Sequence, residues 1–262
     1  MIPPIKVAAL QIASRDDESP SERTKRVDNV LDSAASSADL ILLPELWQVG
    51  YFNFDRYADV AEPAGGEFLD WMSAKAKRYS VHIFTGSFVE RHEGRLFNTS
   101  ALIDPDGRVC GIYRKIHLFG YGSKEQQLLT RGESPVVLKT KIGSFGLCTC
   151  YDLRFPELFR RMVDQGAEAF LITSAWPYPR LHHWEVLTAA RAIENQSYLV
   201  ACNAAGMNGG ARLLGHSRIV DPWGITLAGA GDHETVLRGE MDLSRVAQIR
   251  GEFPALHDRV LK

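Results

Sequence analysis

The sequence predicts an α/β protein, a four-layer α-β-β-α sandwich with an internal pseudo-two-fold repeat. Three observations predict it. Short apolar runs alternate with stretches of helical spacing along the whole chain, as expected of two sheets that pack on each other and carry helices outside. The order strand, helix, strand, helix, strand, hairpin occurs twice. Two pairs of segments also resemble each other in matching order: residues 38–47 with 167–176, and residues 100–107 with 217–224, the last pair both ending in Asp-Pro-x-Gly.

In chain order, a strand over 6–12 opens the first half. Ser19-Pro20-Ser21-Glu22 then combines an N-cap, a proline at the first helical position and a capping-box glutamate. Val27, Val30, Leu31, Ala34, Ala35 and Ala38 keep helical spacing behind it. A strand over 40–43, a helix over 67–80 and a strand over 81–89 follow. Strands over 98–103 and 108–113 are joined by the turn Asp104-Pro-Asp-Gly107. The second half has a strand ending at Cys150, a helix over 156–165, a strand over 169–173, a helix over 181–195 and a strand over 198–203. No Pro/Gly/Ser-rich linker separates the halves, so residues 1–262 are expected to form a single domain.

Composition narrows the function. The chain has 262 residues, 45% hydrophobic and 24% charged, with a formal net charge of -2. That balance gives no electrostatic reason to bind nucleic acid or an anionic membrane. No apolar stretch approaches the ~20 residues that span a bilayer. The N-terminus runs straight into a strand without a basic, then apolar, leader. Together with only four cysteines (Cys110, Cys148, Cys150, Cys202), this suggests reduced thiols and a cytoplasmic setting. There is no phosphate loop and no strand followed by Gly-x-Gly-x-x-Gly. Cys148-Thr-Cys150 lacks a second Cys/His pair at zinc spacing. No cofactor and no metal are expected, and Gly206-Met-Asn-Gly-Gly-Ala reads as a flexible loop at a site rim.

Chemistry concentrates at three strand ends. Cys150 stands where a strand turns into a helix, which would point its thiol out of the sheet beside free backbone N–H groups. The alternative is a small buried hydrophobe, the reading given to Cys110, Cys148 and Cys202 as core or near-core thiols. Glu45 ends an apolar run, a setting that raises a carboxyl pKa and suits a general base; otherwise it faces water at the sheet edge. Lys115 ends a hairpin strand, where lysines are usually solvated. Beside a thiolate it would depress the thiol pKa and neutralise an oxyanion, while alternation turns Arg114 to the other face. His117, His183 and His216 admit a Cys-His hydrolase, although no spacing pairs them with Cys150.

Three segments carry a resemblance. Leu42-Leu-Pro-Glu45-Leu-Trp, Tyr113-Arg-Lys115-Ile-His-Leu-Phe and Gly146-Leu-Cys-Thr-Cys150-Tyr-Asp-Leu-Arg-Phe-Pro-Glu157 resemble the signatures of the carbon–nitrogen hydrolase (nitrilase) superfamily, over essentially the whole chain. The resemblance implies an amide hydrolase with a Glu45-Lys115-Cys150 triad and a thioester intermediate. It implies an oxyanion site at Lys115 and the Tyr151 N–H, and a second site glutamate at Glu125. It also implies a homo-oligomer, at least a dimer, paired through outer helices. The segment Trp176-Pro-Tyr-Pro-Arg180 with His183-Trp184 looks most like the ω-amidase branch, which hydrolyses small 2-oxo acid amides such as 2-oxoglutaramate. Amidases of deaminated glutathione and hydrolases of N-carbamoyl acids share much of this pattern, and a catalytically silent binding or scaffold protein is the reading from another class. Trp176 and His183 are candidate substrate contacts, in a pocket narrowed by Trp47, Tyr51 and Tyr151. Arg154 or Arg180 would hold a substrate carboxylate; for Arg154 the alternative is an ion pair with Asp152 or Glu157.

Overall fold

Successive side chains of a strand leave by opposite faces, and here both faces of the central strands are apolar, so each sheet has to be covered twice. A computed structural model, describing residues 3–261, meets that demand in four layers. The first half runs β1 (Ile5–Gln11), β2 (Ala13–Ser14), α1 (Pro20–Ala35), β3 (Leu40–Leu42), α2 (Tyr57–Val60), α3 (Glu67–Tyr79), β4 (His82–His92), β5 (Arg95–Ile103) and β6 (Val109–Arg114). A single turn, α4 (Glu125–Leu128), and β7 (Val137–Thr140) bridge to the second half. There β8 (Gly143–Thr149), α5 (Pro156–Asp164), β9 (Ala169–Ser174), α6 (Leu181–Asn195) and β10 (Tyr198–Asn203) follow in turn. Next come β11 (Ala205–Asn208), β12 (Ala211–Leu214), β13 (Arg218–Val220) and β14 (Thr226–Gly229), and last β15 (Thr235–Met241) and α7 (Ser244–Glu252).

One six-stranded sheet has the order β15-β1-β3-β4-β5-β6 and the other β14-β13-β10-β9-β8-β7. Each contains three parallel strands, an antiparallel pair on one side and one antiparallel edge strand on the other. The predicted repeat is therefore real. Its turns also match: Asp104 Oδ1 accepts from the N–H groups of Asp106 and Arg108, and Asp221 Oδ1 from those of Trp223 and Ile225. Gly107 and Gly224 take φ of 80° and 83°, a left-handed conformation that only glycine adopts without steric cost.

Alternation sorts the core. Val7, Ala9 and Leu42 meet Leu171, Val200 and Cys202 between the sheets. Their neighbours Ala8, Leu10 and Ile41 turn outward to Leu31 of α1 and Met72 of α3. Cys148, Phe170 and Leu199 turn the other way, to Phe159 of α5 and Trp184 of α6. The capping box forms as expected, with Ser19 N–H donating to Glu22 Oε2 at 2.9 Å and Glu22 N–H to Ser19 Oγ at 3.3 Å.

Three expectations need correction. Residues 206–211 are no flexible loop: they lie within the β11–β12 hairpin, which turns at Gly209 and Gly210 and pairs with β2. Cys110 is exposed, because β6 is the outermost strand of its sheet. β7, β15 and α7 were not anticipated. No helix among the described residues is long and apolar enough to cross a membrane.

Candidate active site

The carboxyl ends of β3, β8 and β9 come together, and the chain is tied there across the two sheets. Thr173 Oγ1 donates to the Leu43 carbonyl at 2.9 Å, and Glu45 N–H to the Ser174 carbonyl at 3.3 Å. Glu45, Lys115 and Cys150 meet at this junction, with Glu125 brought in by α4. Glu45 is 1% exposed, Lys115 and Glu125 are both 0%, and Cys150 is 7%. The thiol is thus not exposed but forms the floor of a cleft.

Hydrogen bonds fix the group. Lys115 Nζ donates to Glu45 Oε1 at 2.8 Å and to both oxygens of Glu125 at 3.0 Å. Glu45 Oε2 accepts the Ala175 N–H at 3.0 Å. Glu125 Oε2 further accepts the Phe119 N–H at 2.7 Å and the Tyr51 hydroxyl at 3.2 Å. Asn98, on β5, reaches both glutamates, a role that no local motif in the sequence marks. Arg114 pairs with Glu90 on the opposite face of its strand, as alternation requires.

Charge states follow from burial. Burial pushes the Glu45 carboxyl pKa up; Lys115 opposes the shift and Glu125 adds to it. Burial alone would lower Lys115, but Glu125 and Glu45 hold its pKa well above the ordinary lysine value. Burial and the Glu45 charge raise the Cys150 thiol pKa, and Lys115 only partly opposes them. The expected depression of this pKa is therefore not found. The group thus sets a thiol beside the Lys115 ammonium and the Glu45 side chain, able to form a thiolate once Glu45 accepts its proton.

The turn at Cys150 has its own clamp. Cys150 takes φ 48°, unusual for a residue with a side chain. Asp152 Oδ2 accepts the Thr149 N–H at 2.9 Å and the Tyr113 hydroxyl at 2.6 Å, while its Oδ1 accepts the His117 N–H at 3.0 Å. One carboxylate thus locks the loop after Lys115 onto the turn of Cys150. His117 faces Asp152 and stacks on Phe155, and His216 faces Asp232. Neither joins Cys150, and His183 faces Arg154 instead, so among the described residues none of the three candidate histidines pairs with the thiol.

A narrow cleft opens above Cys150 between Tyr51, Phe119, Tyr151 and Trp176, with Arg154 and Arg180 on its wall. Trp47 does not contribute; it points into the outer core, where Nε1 donates to the Thr85 carbonyl at 3.1 Å. His183 meets the cleft through Arg154, its Nδ1 lying 3.2 Å from a guanidinium nitrogen. Arg154 lies over Trp176, 4.7 Å from the ring centroid, and Arg180 lies over Phe119 at 5.6 Å. Among the described residues neither arginine pairs with a carboxylate. Asp152 is engaged elsewhere, so the alternative ion pair for Arg154 does not form.

Comparison with known proteins agrees with this geometry. A family model described as carbon-nitrogen hydrolase matches residues 6–251. The chain belongs to the carbon–nitrogen hydrolase family. It is 38% identical to a 2-oxoglutaramate amidase of Bacillus subtilis over 239 residues, covering 91% of this chain and 92% of that one. A carbon–nitrogen hydrolase superfamily protein from Xanthomonas campestris, solved with an arsenic adduct in its active site, superposes with a TM-score of 0.92 at 28% identity, covering 100% of this chain and 99% of that one. A mutant of the amidase from Nesterenkonia sp. AN1 carries the acetamide moiety of fluoroacetamide covalently on its active-site cysteine. It superposes with a TM-score of 0.81 at 25% identity, covering 98% of this chain and 97% of that one. As a carbon–nitrogen hydrolase, this chain is an amide-hydrolysing enzyme that acts on small molecules. Its four-layer sandwich is the architecture of those relatives.

Proposed function

We propose that this carbon–nitrogen hydrolase is an ω-amidase that releases ammonia from short 2-oxo acid amides, with 2-oxoglutaramate first. The observation that carries the reading is the pair of guanidiniums, free of carboxylates among the described residues, on the wall of a narrow aromatic cleft above Cys150. The substrate carboxylate pairs with Arg154 or Arg180, which leaves its terminal amide over the thiol.

Each oxygen of a carboxylate has two lone pairs. Glu45 Oε1 already accepts from Lys115 and Asn98, whereas Oε2 accepts only the Ala175 N–H, so Oε2 is the base. It takes the Cys150 proton as sulfur adds to the amide carbon. The oxyanion is met by Lys115 and the Tyr151 N–H. Glu45 passes the proton to nitrogen, the C–N bond breaks, and ammonia leaves a thioester on Cys150. Glu45 then deprotonates a water that attacks the thioester, releasing the acid and restoring the thiol. Glu125 holds Lys115 in place throughout. The enzyme acts as a homodimer in the cytoplasm, a compartment that suits four free cysteines.

An ammonia-release panel tests the substrate, comparing 2-oxoglutaramate, deaminated glutathione, N-carbamoyl-β-alanine, butyramide and an aliphatic nitrile. We expect 2-oxoglutaramate to give the highest kcat/KM. Arg154→Ala should lower that value roughly ten- to a hundredfold while sparing butyramide, since a hydrogen bond to a charged group contributes about 1.5–3 kcal/mol. A neutral amide or nitrile preferred by both proteins would refute the carboxylate clamp.

A further inference from the structure

Two buried carboxylates served by a single ammonium should repel each other and open the site. The side chain that spans them is Asn98, 0% exposed on β5. Its Nδ2 donates to Glu45 Oε1 at 2.8 Å and to Glu125 Oε1 at 3.0 Å. Its backbone carbonyl accepts the backbone N–H of Lys115 at 2.9 Å. One residue therefore bonds both glutamate side chains and the main chain of Lys115.

The far side of the same amide gives a second, independent sign. Asn98 Oδ1 is buried with no hydrogen-bond partner among the described residues. A buried amide oxygen left unpaired is costly. Turning the amide over would aim that oxygen at two carboxylates, so the cost is tolerated for the sake of the two donors. Asparagine is the shortest neutral side chain that offers two N–H bonds from one atom. Serine offers one, and aspartate offers none and adds a third charge.

We infer that Asn98 is a positioning residue for the amidase reaction: it fixes the spacing of Glu45 and Glu125 and, by occupying Glu45 Oε1, leaves Oε2 turned to the thiol. The inference rests on the reading of Glu45 as the base and goes beyond it. No proton passes through Asn98. It acts through Glu45, whose ionised form is favoured by the bond it donates.

The test compares Asn98→Ser and Asn98→Ala with the parent enzyme. The pH profiles of kcat/KM for ammonia release and of the rate of Cys150 alkylation by iodoacetamide are recorded, with Glu45→Gln in parallel and every protein checked for its fold by circular dichroism. Losing both donors should move the acid limb of both profiles upward by about one pH unit and lower kcat roughly tenfold or more, with KM changed less. Asn98→Ser, which keeps one donor, should fall between the parent and Asn98→Ala. Alkylation needs no turnover, so it reads even a weakened variant while it remains folded. Acid limbs that coincide with the parent's, however far the rates fall, would reduce Asn98 to packing and overturn the inference alone. A Glu45→Gln protein that turns over at close to the parent's rate would overturn the base assignment, and the inference with it.

Discussion

Cys150 shows how one position can be poised without being reactive. Its φ of 48° lifts the side chain out of the line of β8, a strained conformation that persists only where surroundings enforce it. Here the enforcement is the set of bonds to Asp152. Burial and the Glu45 charge keep it a thiol, so stray electrophiles meet the weaker nucleophile. Reactivity waits on Glu45, which must be ionised to take the proton. Its pKa is raised above the ordinary 4.5; activity is therefore full above the raised value and is lost as pH falls through it. The acid limb of kcat/KM should lie above pH 4.5, and Glu45→Gln should lower turnover by about 10²–10⁴-fold. A limb at or below the ordinary carboxylate value would contradict the burial argument.

At the scale of elements, the end of β3 is held by an irregularity in β4. The β4–β5 register shifts between Phe84 and Ser87. Gly86, inside that bulge, takes φ 73°, and a Cβ there would come within 2.2 Å of the Pro44 carbonyl oxygen. Ser87 Oγ accepts the Leu46 N–H at 3.0 Å, and Ser87 N–H donates to the Pro44 carbonyl at 3.3 Å. The bulge thus grips the residues on both sides of Glu45. Gly86→Ala should destabilise the fold by about 1–3 kcal/mol through strain at a left-handed position, read as a lower Tm. It should also lower kcat at temperatures where the protein stays folded. Unchanged kcat in a destabilised variant would uncouple the bulge from Glu45.

The same scale explains what the sequence could reveal. The central strands are apolar on both faces and α1 carries a full cap, so local pattern was enough to find them. β15 pairs with β1 from more than two hundred residues away, and only Leu237 and Met241 of it are buried, so no local signal marks it. α7 buries Val246 and Ile249 alone. Glu45, Lys115 and Cys150 were legible because each ends an apolar run. Asn98 was not, since a polar residue in a strand reads as outward-facing until a long-range partner is known. Trp47 was misplaced for a related reason: Leu46, at φ 44°, breaks the alternation just before it.

At the scale of the whole molecule, the two halves meet at the site and the outer surface bears on the proposed homodimer. Ser174 and Ala175 occupy the repeat positions of Glu45 and Leu46, and the Glu45 side chain bonds the Ala175 N–H, so the site lies where the two halves touch. Outside, the second half carries an apolar face that the first half does not cover. Val186 and Ile193 of α6 are 49% and 52% exposed, beside Trp223 at 45% and Ile225 at 58% on the β13–β14 turn. Trp223 packs against Phe253, with centroids 5.9 Å apart and the rings tilted by 43°, which extends the patch. Apolar patches of this kind mark association surfaces, and one centred on an outer helix suits the proposed isologous dimer. The parent should therefore sediment at twice the chain mass of 29.2 kDa, and Val186→Lys should shift it toward monomer by placing a charge in the interface. Because Arg180 and His183 stand at the first turn of α6, loss of the partner should loosen the cleft wall and raise KM for an acidic amide more than it lowers kcat. A parent enzyme that is monomeric at micromolar concentration would refute the dimer, and a Val186→Lys protein that remains dimeric would place its interface elsewhere.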